Sequence, residues 1–303
     1  MKFEVTILGC GSATPTLRHS PTSQLVNHEE QYFLIDCGEG TQLQLRRFGL
    51  KFQKINHIFI SHLHGDHYFG LPGLLSTFHL LGRTNALHIY THADLQQVME
   101  SQLKISHSHL RYPVHWHALN YDTKVLLFES EQLEIFGFPL SHRIPTCGFL
   151  IRQKPKPRNI ISAFISRYNI PVARIRQIKD GSDYTLPNGE VLPNDMLTTA
   201  PDPPRSYAFC SDTAFAEKTA QYVKGVDTLY HESTFLKLHA KRAKETFHST
   251  AGQAAQVAIL AGAKKLILGH FSARYHGISE FQSEASEIHP HVILAEEGQT
   301  YPV

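Results

Sequence analysis

The chain has 303 residues, 42% of them hydrophobic, and its 29 Lys and Arg against 27 Asp and Glu leave a formal net charge of +2. That is enough apolar material for a sizeable core in one large domain or two, which excludes a disordered chain. No apolar run approaches the ~20 residues of a membrane-spanning helix, so no membrane association is expected.

From the amino terminus, Met1 to Gly9 sets Lys2 and Glu4 inside an apolar alternation, a strand pattern without the apolar core of a signal peptide. Alternation and β-branched residues predict further strands near 32 to 36, 56 to 60, 87 to 90, 132 to 138, 147 to 152, 206 to 210, 227 to 230, 265 to 269 and 292 to 295, the first running from 3 to 8. Helical patterns cover 39 to 48, 71 to 81, 93 to 105 and 214 to 223. The clearest helix runs from Ala251 to Ala261, with Ser249 or Thr250 as its cap and Gly262 ending it. Strands and helices alternating through two halves predict an α/β fold, a layered sandwich of sheets covered by helices. Cys10, Cys37, Cys147 and Cys210 form no Cys-x-x-Cys pair and read as reduced, mostly buried thiols of a cytoplasmic protein.

Histidine is the anomaly, at 21 residues, about three times its usual share. Behind the apolar run Ile55 to Ile60, the sequence Ser61-His-Leu-His-Gly-Asp-His67 puts His62, His64, Asp66 and His67 within six residues. A strand cannot aim all four at one ion, because neighbouring side chains face opposite ways, but a loop leaving the strand can divide them between two. Imidazole and carboxylate without thiolate suit Zn2+, with Mn, Fe or Co as other occupants, and positions left open for water suit hydrolysis. His107-x-His109 and His115-x-His117 have ligand-like spacing but no acidic neighbour, and are not assigned to metal.

Two ions need about seven or eight protein contacts, so further ligands are expected at strand ends, where open α/β sheets gather their sites. His142, Asp212 and His270 each follow a predicted strand. They complete one set of His62, His64 and His142 and another of Asp66, His67 and His270, with Asp212 bridging. Asp36, after Gln31 to Ile35, is expected to orient the loop or a ligand imidazole by accepting hydrogen bonds.

From Arg152 to Lys179 the chain carries eight Lys and Arg and no acid. Lys154-Pro-Lys156-Pro keeps its start extended, and Ile160, Ile161, Phe164, Ile165 and Tyr168 fall at helical spacing. Such a block suggests an arm that reaches for polyphosphate.

Asp36, the His62 to His67 cluster, His142, Asp212 and His270 together resemble the ordered motifs of the metallo-β-lactamase superfamily, across nearly the whole chain. Within it the chain is most similar to the ribonuclease Z family, whose members trim the 3′ trailer from precursor tRNA. Leu8-Gly-Cys-Gly-Ser-Ala-Thr-Pro15 is similar to that family's first loop, and His231-Glu-Ser-Thr234 and His248-Ser-Thr250 resemble its paired His-Glu-Ala-Thr and His-Ser-Thr motifs. Where the family commonly reads Pro-x-Lys-x-Arg-Asn, this chain has Pro15-Thr-Leu-Arg-His-Ser20, and its arm lacks the usual Gly-Pro dipeptides.

The resemblance implies a single domain over 1–303, a four-layer αββα sandwich with two zinc ions per subunit, interrupted at about 152–200 by a flexible tRNA-binding arm. It also implies a homodimer in which one subunit's arm serves the other's site. In the expected mechanism Asp66 accepts a proton from the attacking water, His248 is the general acid and Glu232 holds its other nitrogen. His231 is expected to join Asp36 behind the ligands, and Lys154, Lys156, Arg158, Arg174, Arg176 and Lys179 to bind RNA. The rival readings are a hydrolase of small phosphodiesters, sulfate esters or lactones, and a non-catalytic RNA-binding protein with structural metal.

Overall fold

The computed structural model describes residues 2–303, which divide into a larger unit (2–128, 135–151 and 206–303) and a smaller one (129–134 and 152–205). Two seven-stranded sheets organise the larger unit. The first runs in the order Thr300–Pro302, Phe3–Gly9, Ser23–His28, Gln31–Ile35, Ile55–Phe59, Leu87–Thr91, Val114–Ala118. It is antiparallel as far as Gln31–Ile35 and parallel beyond. In the second, Val292–Leu294, Lys265–Gly269, Thr228–Glu232 and Ser206–Cys210 are parallel neighbours, followed by Thr146–Gln153, Leu133–Leu140 and Val125–Glu129.

Period-two alternation decides what each face meets. Ile58 and Ile60 pack with Leu71, Leu74 and Phe78 of the helix Leu71–Leu80 and Leu95 and Met99 of Ala93–Ile105. Phe59, between them, turns to the other sheet and meets Phe149 with ring centroids 5.4 Å apart, and Phe149, Phe209 and Tyr230 continue the aromatic layer. Burying each such ring contributes about 1.5–3 kcal/mol. On the far side of the second sheet lies Ala251–Ala261, whose buried alanines suit close approach to the strands; Thr250 and Gln253 form its capping box and Gly262 ends it at φ 67°. The layers are therefore helix, sheet, sheet, helix.

Several elements were not anticipated by the sequence reading. The strand Ser23–His28 is buried throughout although Ser23, Gln24, Asn27 and His28 are polar, because Gln24 accepts a hydrogen bond from the Tyr207 hydroxyl across the sheets and Ser23 donates to the Asp36 carbonyl. Val114–Ala118, Val125–Glu129 and the helices Ala240–Thr246 and Ser279–Ser286 are also new, and the helix expected at 214–223 shortens to Glu217–Tyr222.

The smaller unit has its own core of Ile170, Ile178, Leu192 and Leu197, with Ile160, Phe164, Ile165 and Tyr168 against it. The short helix Ser162–Arg167 falls where Ile160 to Tyr168 keep helical spacing, and a second, Val172–Lys179, follows it. Asn194 fastens the turn after the second by donating to the carbonyls of Ile178 (2.6 Å) and Ser182 (2.8 Å). Its nine basic and eight acidic residues leave a net +1. Arg152 pairs with Glu134, Arg158 with Asp195 and Arg176 with Asp180, all within 2.9 Å, and Lys154 with Glu129.

Gly38 lets the loop after Gln31–Ile35 pass beside the nest of histidines and Asp66 at 62–67. A Cβ there would lie 2.4 Å from the Asp66 carbonyl oxygen and 2.6 Å from the Pro21 Cβ. Gly38→Ala should therefore lower stability by about 1–3 kcal/mol, the cost of overpacking. A urea midpoint unchanged from the unsubstituted protein would show that the crowding relaxes freely.

Candidate metal centre

Each candidate sits where a strand of the larger unit gives way to a loop. Asp36 follows Gln31–Ile35, His62 follows Ile55–Phe59, His142 follows Leu133–Leu140, Asp212 follows Ser206–Cys210 and His270 follows Lys265–Gly269. The nest turns at once into the one-turn helix Gly65–Tyr68, which carries Asp66 and His67. Two of the junction residues need backbone that non-glycine residues seldom adopt, Asp36 at φ 55° and His270 at φ 60°.

These side chains converge in overlapping groups: His62, His64 and His142 with Asp212; Asp66 and His67 with His270; and Asp212 with His248 and His270. In the first, His64 Nδ1 lies 2.9 Å from His62 Nε2 and 3.2 Å from His142 Nε2, and Asp212 Oδ2 lies 3.7 Å and 3.8 Å from those two Nε2 atoms. Across the other two, Asp212 Oδ1 is 3.3 Å from His67 Nε2 and 3.1 Å from His270 Nε2, with Asp66 Oδ2 at 3.6 Å and 3.7 Å from the same nitrogens. Donor atoms bonded at ~2.0–2.2 Å to one tetrahedral zinc ion stand about 3.3–3.5 Å apart, so both arrangements fit a cation. Nε2 of His67 and of His270 is buried without a hydrogen bond, which a cation would remedy.

The nitrogen of each of four rings that faces away from the centre determines what the inner nitrogen can do. His142 Nδ1 is 2.9 Å from the Phe247 carbonyl and His67 Nδ1 2.7 Å from Asp36 Oδ2, groups that only accept. Thr234 Oγ1 already donates to Glu232 Oε2 at 2.6 Å, and so accepts from His270 Nδ1 at 2.9 Å. Ser61 Oγ donates to Asp36 Oδ2 and likewise accepts from His62 Nδ1 at 3.0 Å. The outer nitrogens hold protons, and the inner Nε2 atoms present lone pairs.

Electrostatics run the same way. Burial pushes His62 well below the ordinary histidine value, with His67 adding to it. Burial opposes charge on His67 too, but Asp212, Asp36 and Asp66 hold it well above that value. Three carboxylates thus draw positive charge to His67, as a proton or as a cation.

His248 differs. Burial disfavours its charge, but Glu232 Oε1 at 2.7 Å from Nδ1, with Asp212 and Asp66 behind, raises it to about 9. Burial of Glu232 is in turn outweighed by His248, which brings the carboxyl down to about 2. Thr213 N, Thr234 N and Thr234 Oγ1 also donate to Glu232 and fix it in place. His248 Nε2 lies 4.0 Å from Asp212 Oδ2. The cavity beside it, about 400 Å³, is lined by His64, Asp66, Asp212 and His248 together with Phe69 and Arg143.

Every candidate ligand read from the sequence is thus brought to the centre, and Asp36 stands behind it. His231 is not: next to Glu232 on a strand, its ring takes the opposite face and bonds the Glu232 carbonyl at 2.7 Å. The residues of the basic segment lie in the smaller unit. Sequence reasoning missed Ser61, Thr234, Phe247 and Arg143. Of these, only Ser61 and Thr234 could have been found, as hydroxyls inside motifs already recognised.

Comparison with known proteins follows these features. Residues 3–138 match the family model described as anti-Pycsar protein Apyc1, a stretch that holds the nest but stops before His142, Asp212, His248 and His270. Over 297 residues the chain is 50% identical to a ribonuclease Z of Bacteroides fragilis, covering 98% of each chain, and over 295 residues 45% identical to one of Porphyromonas gingivalis, covering 97% of each. The crystal structure of human tRNase Z, short form, superposes with a TM-score of 0.72 at 29% identity over 99% of both chains. The metallo-β-lactamase fold protein YhfI of Bacillus subtilis, at 19% identity and a TM-score of 0.69 over 99% of both, shares the fold. With half its residues shared over nearly its whole length, the chain belongs to the ribonuclease Z family, endoribonucleases of the metallo-β-lactamase superfamily.

Proposed function

We propose that the protein is a zinc-dependent phosphodiesterase that cuts the 3′ trailer from precursor tRNA and leaves a 3′-hydroxyl on the tRNA. The observation that carries this reading is the convergence of the unpartnered His67 and His270 nitrogens on Asp212, beside a His248 whose Nδ1 lies 2.7 Å from Glu232, in a chain of this family. His62, His64 and His142 would hold one ion, Asp66, His67 and His270 the second, with Asp212 between them and Asp36 behind His67. Two zinc ions there would acidify water and offset the charge of the phosphate.

The remaining steps belong to side chains. Asp66 Oδ2 is steadied by the Ala13 N–H at 2.8 Å. Burial would raise the Asp66 carboxyl, but the neighbouring His67 holds it well below the ordinary range, so it stays ionised and accepts the proton of the attacking water. His248 protonates the departing 3′ oxygen through Nε2, while Glu232 keeps Nδ1 oriented and the ring charged. Arg143 and the exposed face of Phe69, 59% accessible, line the cavity where backbone phosphate and an unstacked base would lie.

The smaller unit serves as the tRNA-binding arm. Because Arg158, Arg176 and Lys154 are paired with acids, its contribution is local and polar. Arg174 and Lys179, on the same helix as Arg176, offer phosphate contacts. The working form is a homodimer in the cytoplasm, with the arm of one subunit presenting tRNA to the other, a reading supported by family membership alone. The small-ester rival accounts for the metal ligands but not for the Glu232–His248 pair or the inserted unit.

Three outcomes test this. Asp212→Ala should lose one or both metals by elemental analysis, whereas Asp36→Asn should bind them about 10- to 100-fold more weakly; full retention by Asp212→Ala contradicts the bridge. His248→Ala should cost about 100-fold or more in kcat with metal content intact. Activity that needs a protonated acid is lost as pH rises through its pKa, and Glu232 raises that pKa, so Glu232→Gln should move the alkaline limb of kcat to lower pH. An unmoved limb removes His248 from the acid role. Replacing Arg174 and Lys179 by Ala should raise KM for precursor tRNA and flatten its salt dependence by about one unit of slope for each phosphate no longer neutralised, while sparing a small chromogenic diester. Equal damage to both substrates would make the arm structural.

A further inference from the structure

Away from the histidine and aspartate centre, Cys10, His19 and Glu297 offer ligand atoms that all lie within 4.8 Å of one another. Cys10 follows the strand Phe3–Gly9, His19 closes the loop that begins there, and Glu297 sits in the turn before Thr300–Pro302. Sγ of Cys10 is 3.5 Å from Nδ1 of His19. For sulfur at ~2.3 Å and imidazole nitrogen at ~2.0–2.1 Å from a tetrahedral zinc ion, that separation is about 3.5 Å.

Glu297 is held in place for such a role. Its Oε1 accepts from Ser20 N at 2.5 Å and its Oε2 from Gln44 Nε2 at 2.7 Å, and Gln44 is itself tied to the Leu8 carbonyl at 2.8 Å. Cys10 is fully buried, with the Ala295 carbonyl 3.6 Å from its sulfur, so its thiol answers to this small set of polar groups and not to solvent. A buried thiol, a half-buried imidazole and a fixed carboxylate make a donor set of mixed softness that suits a borderline cation.

We infer that Cys10, His19 and Glu297 form a third site for a divalent transition-metal ion, zinc or cobalt, that clamps both ends of the loop 10–19 to the turn at 297. Binding replaces the Cys10 S–H bond with a metal–thiolate bond and releases the proton to solvent, so occupancy falls as pH drops. The loop so clamped carries Ala13, whose N–H holds Asp66. The ion therefore steadies one wall of the cavity without touching substrate.

The test uses the full-length protein, stripped with chelator and titrated with Co2+. Thiolate-to-cobalt charge transfer in the near ultraviolet reports this site specifically, because the other candidate ligand groups among the described residues contain no cysteine. The expected result is a band that saturates with one equivalent, beyond the cobalt taken up by the histidine and aspartate ligands. It should vanish in Cys10→Ser and in His19→Ala, with circular dichroism unchanged, and persist in His142→Ala. No band in the unsubstituted protein, or a band that survives Cys10→Ser, overturns the assignment.

Discussion

The arrangement depends on where four imidazole rings keep their protons. A ring whose outer nitrogen faces a carbonyl, a carboxylate or a hydroxyl already committed as a donor must hold its proton there, which leaves the inner lone pair free. Phe247, Asp36, Thr234 and Ser61 supply those acceptors. Without them, nitrogens 2.9–3.2 Å apart would be free to share protons with each other, and the cluster would be a hydrogen-bonded knot instead of a cation site. The fold's task is to deliver these acceptors as much as the ligands.

It does so through strand ends. Parallel strands in both sheets leave their carboxyl termini at one edge, so the residue after each strand is free of ladder pairing and can turn inward. Asp36 and His270 take left-handed backbone at these junctions, at φ 55° and 60°, and Phe247 does so where the helix Ala240–Thr246 ends, at φ 58°. Such conformations are costly for side chains with a Cβ and persist where surrounding structure over-determines them. Here the hydrogen bonds to Ser61, His142 and Thr234 provide that surplus.

Much of this was legible in the chain. Period-two alternation located most strands, and a His or Asp just past several of them gave candidate ligands. What escaped has physical causes. Ser23–His28 is a strand whose inward polar groups find partners only in tertiary structure, so its pattern reads as polar. His231 was expected behind the ligands as part of the His231-Glu-Ser-Thr234 motif, but next to Glu232 on a strand it takes the opposite face. The run 152–179 reads as an unbalanced basic block because it stops one residue short of Asp180, the i+4 partner of Arg176, and because only folding brings Glu134 to Arg152 and Asp195 to Arg158. The carbonyl of Phe247 has no sequence signature at all.

One residue type thus serves two proposed ends, and the distinction lies in what each nitrogen faces. His142, with a neutral carbonyl behind it, lies below its ordinary pKa through burial, despite the nearby charge of Asp212. His248, with the ionised Glu232 behind it, keeps its charge and turns Nε2 toward the cavity. His67 lies between these cases. Its outer partner Asp36 is a carboxylate, yet its inner nitrogen meets two more, Asp66 and Asp212. A single proton cannot satisfy both sides of that ring along with three carboxylates, whereas an outer proton and an inner cation can. By the same reasoning His248, whose inner nitrogen stands 4.0 Å from Asp212 beside an open cavity, is the ring on which a transferable proton can remain.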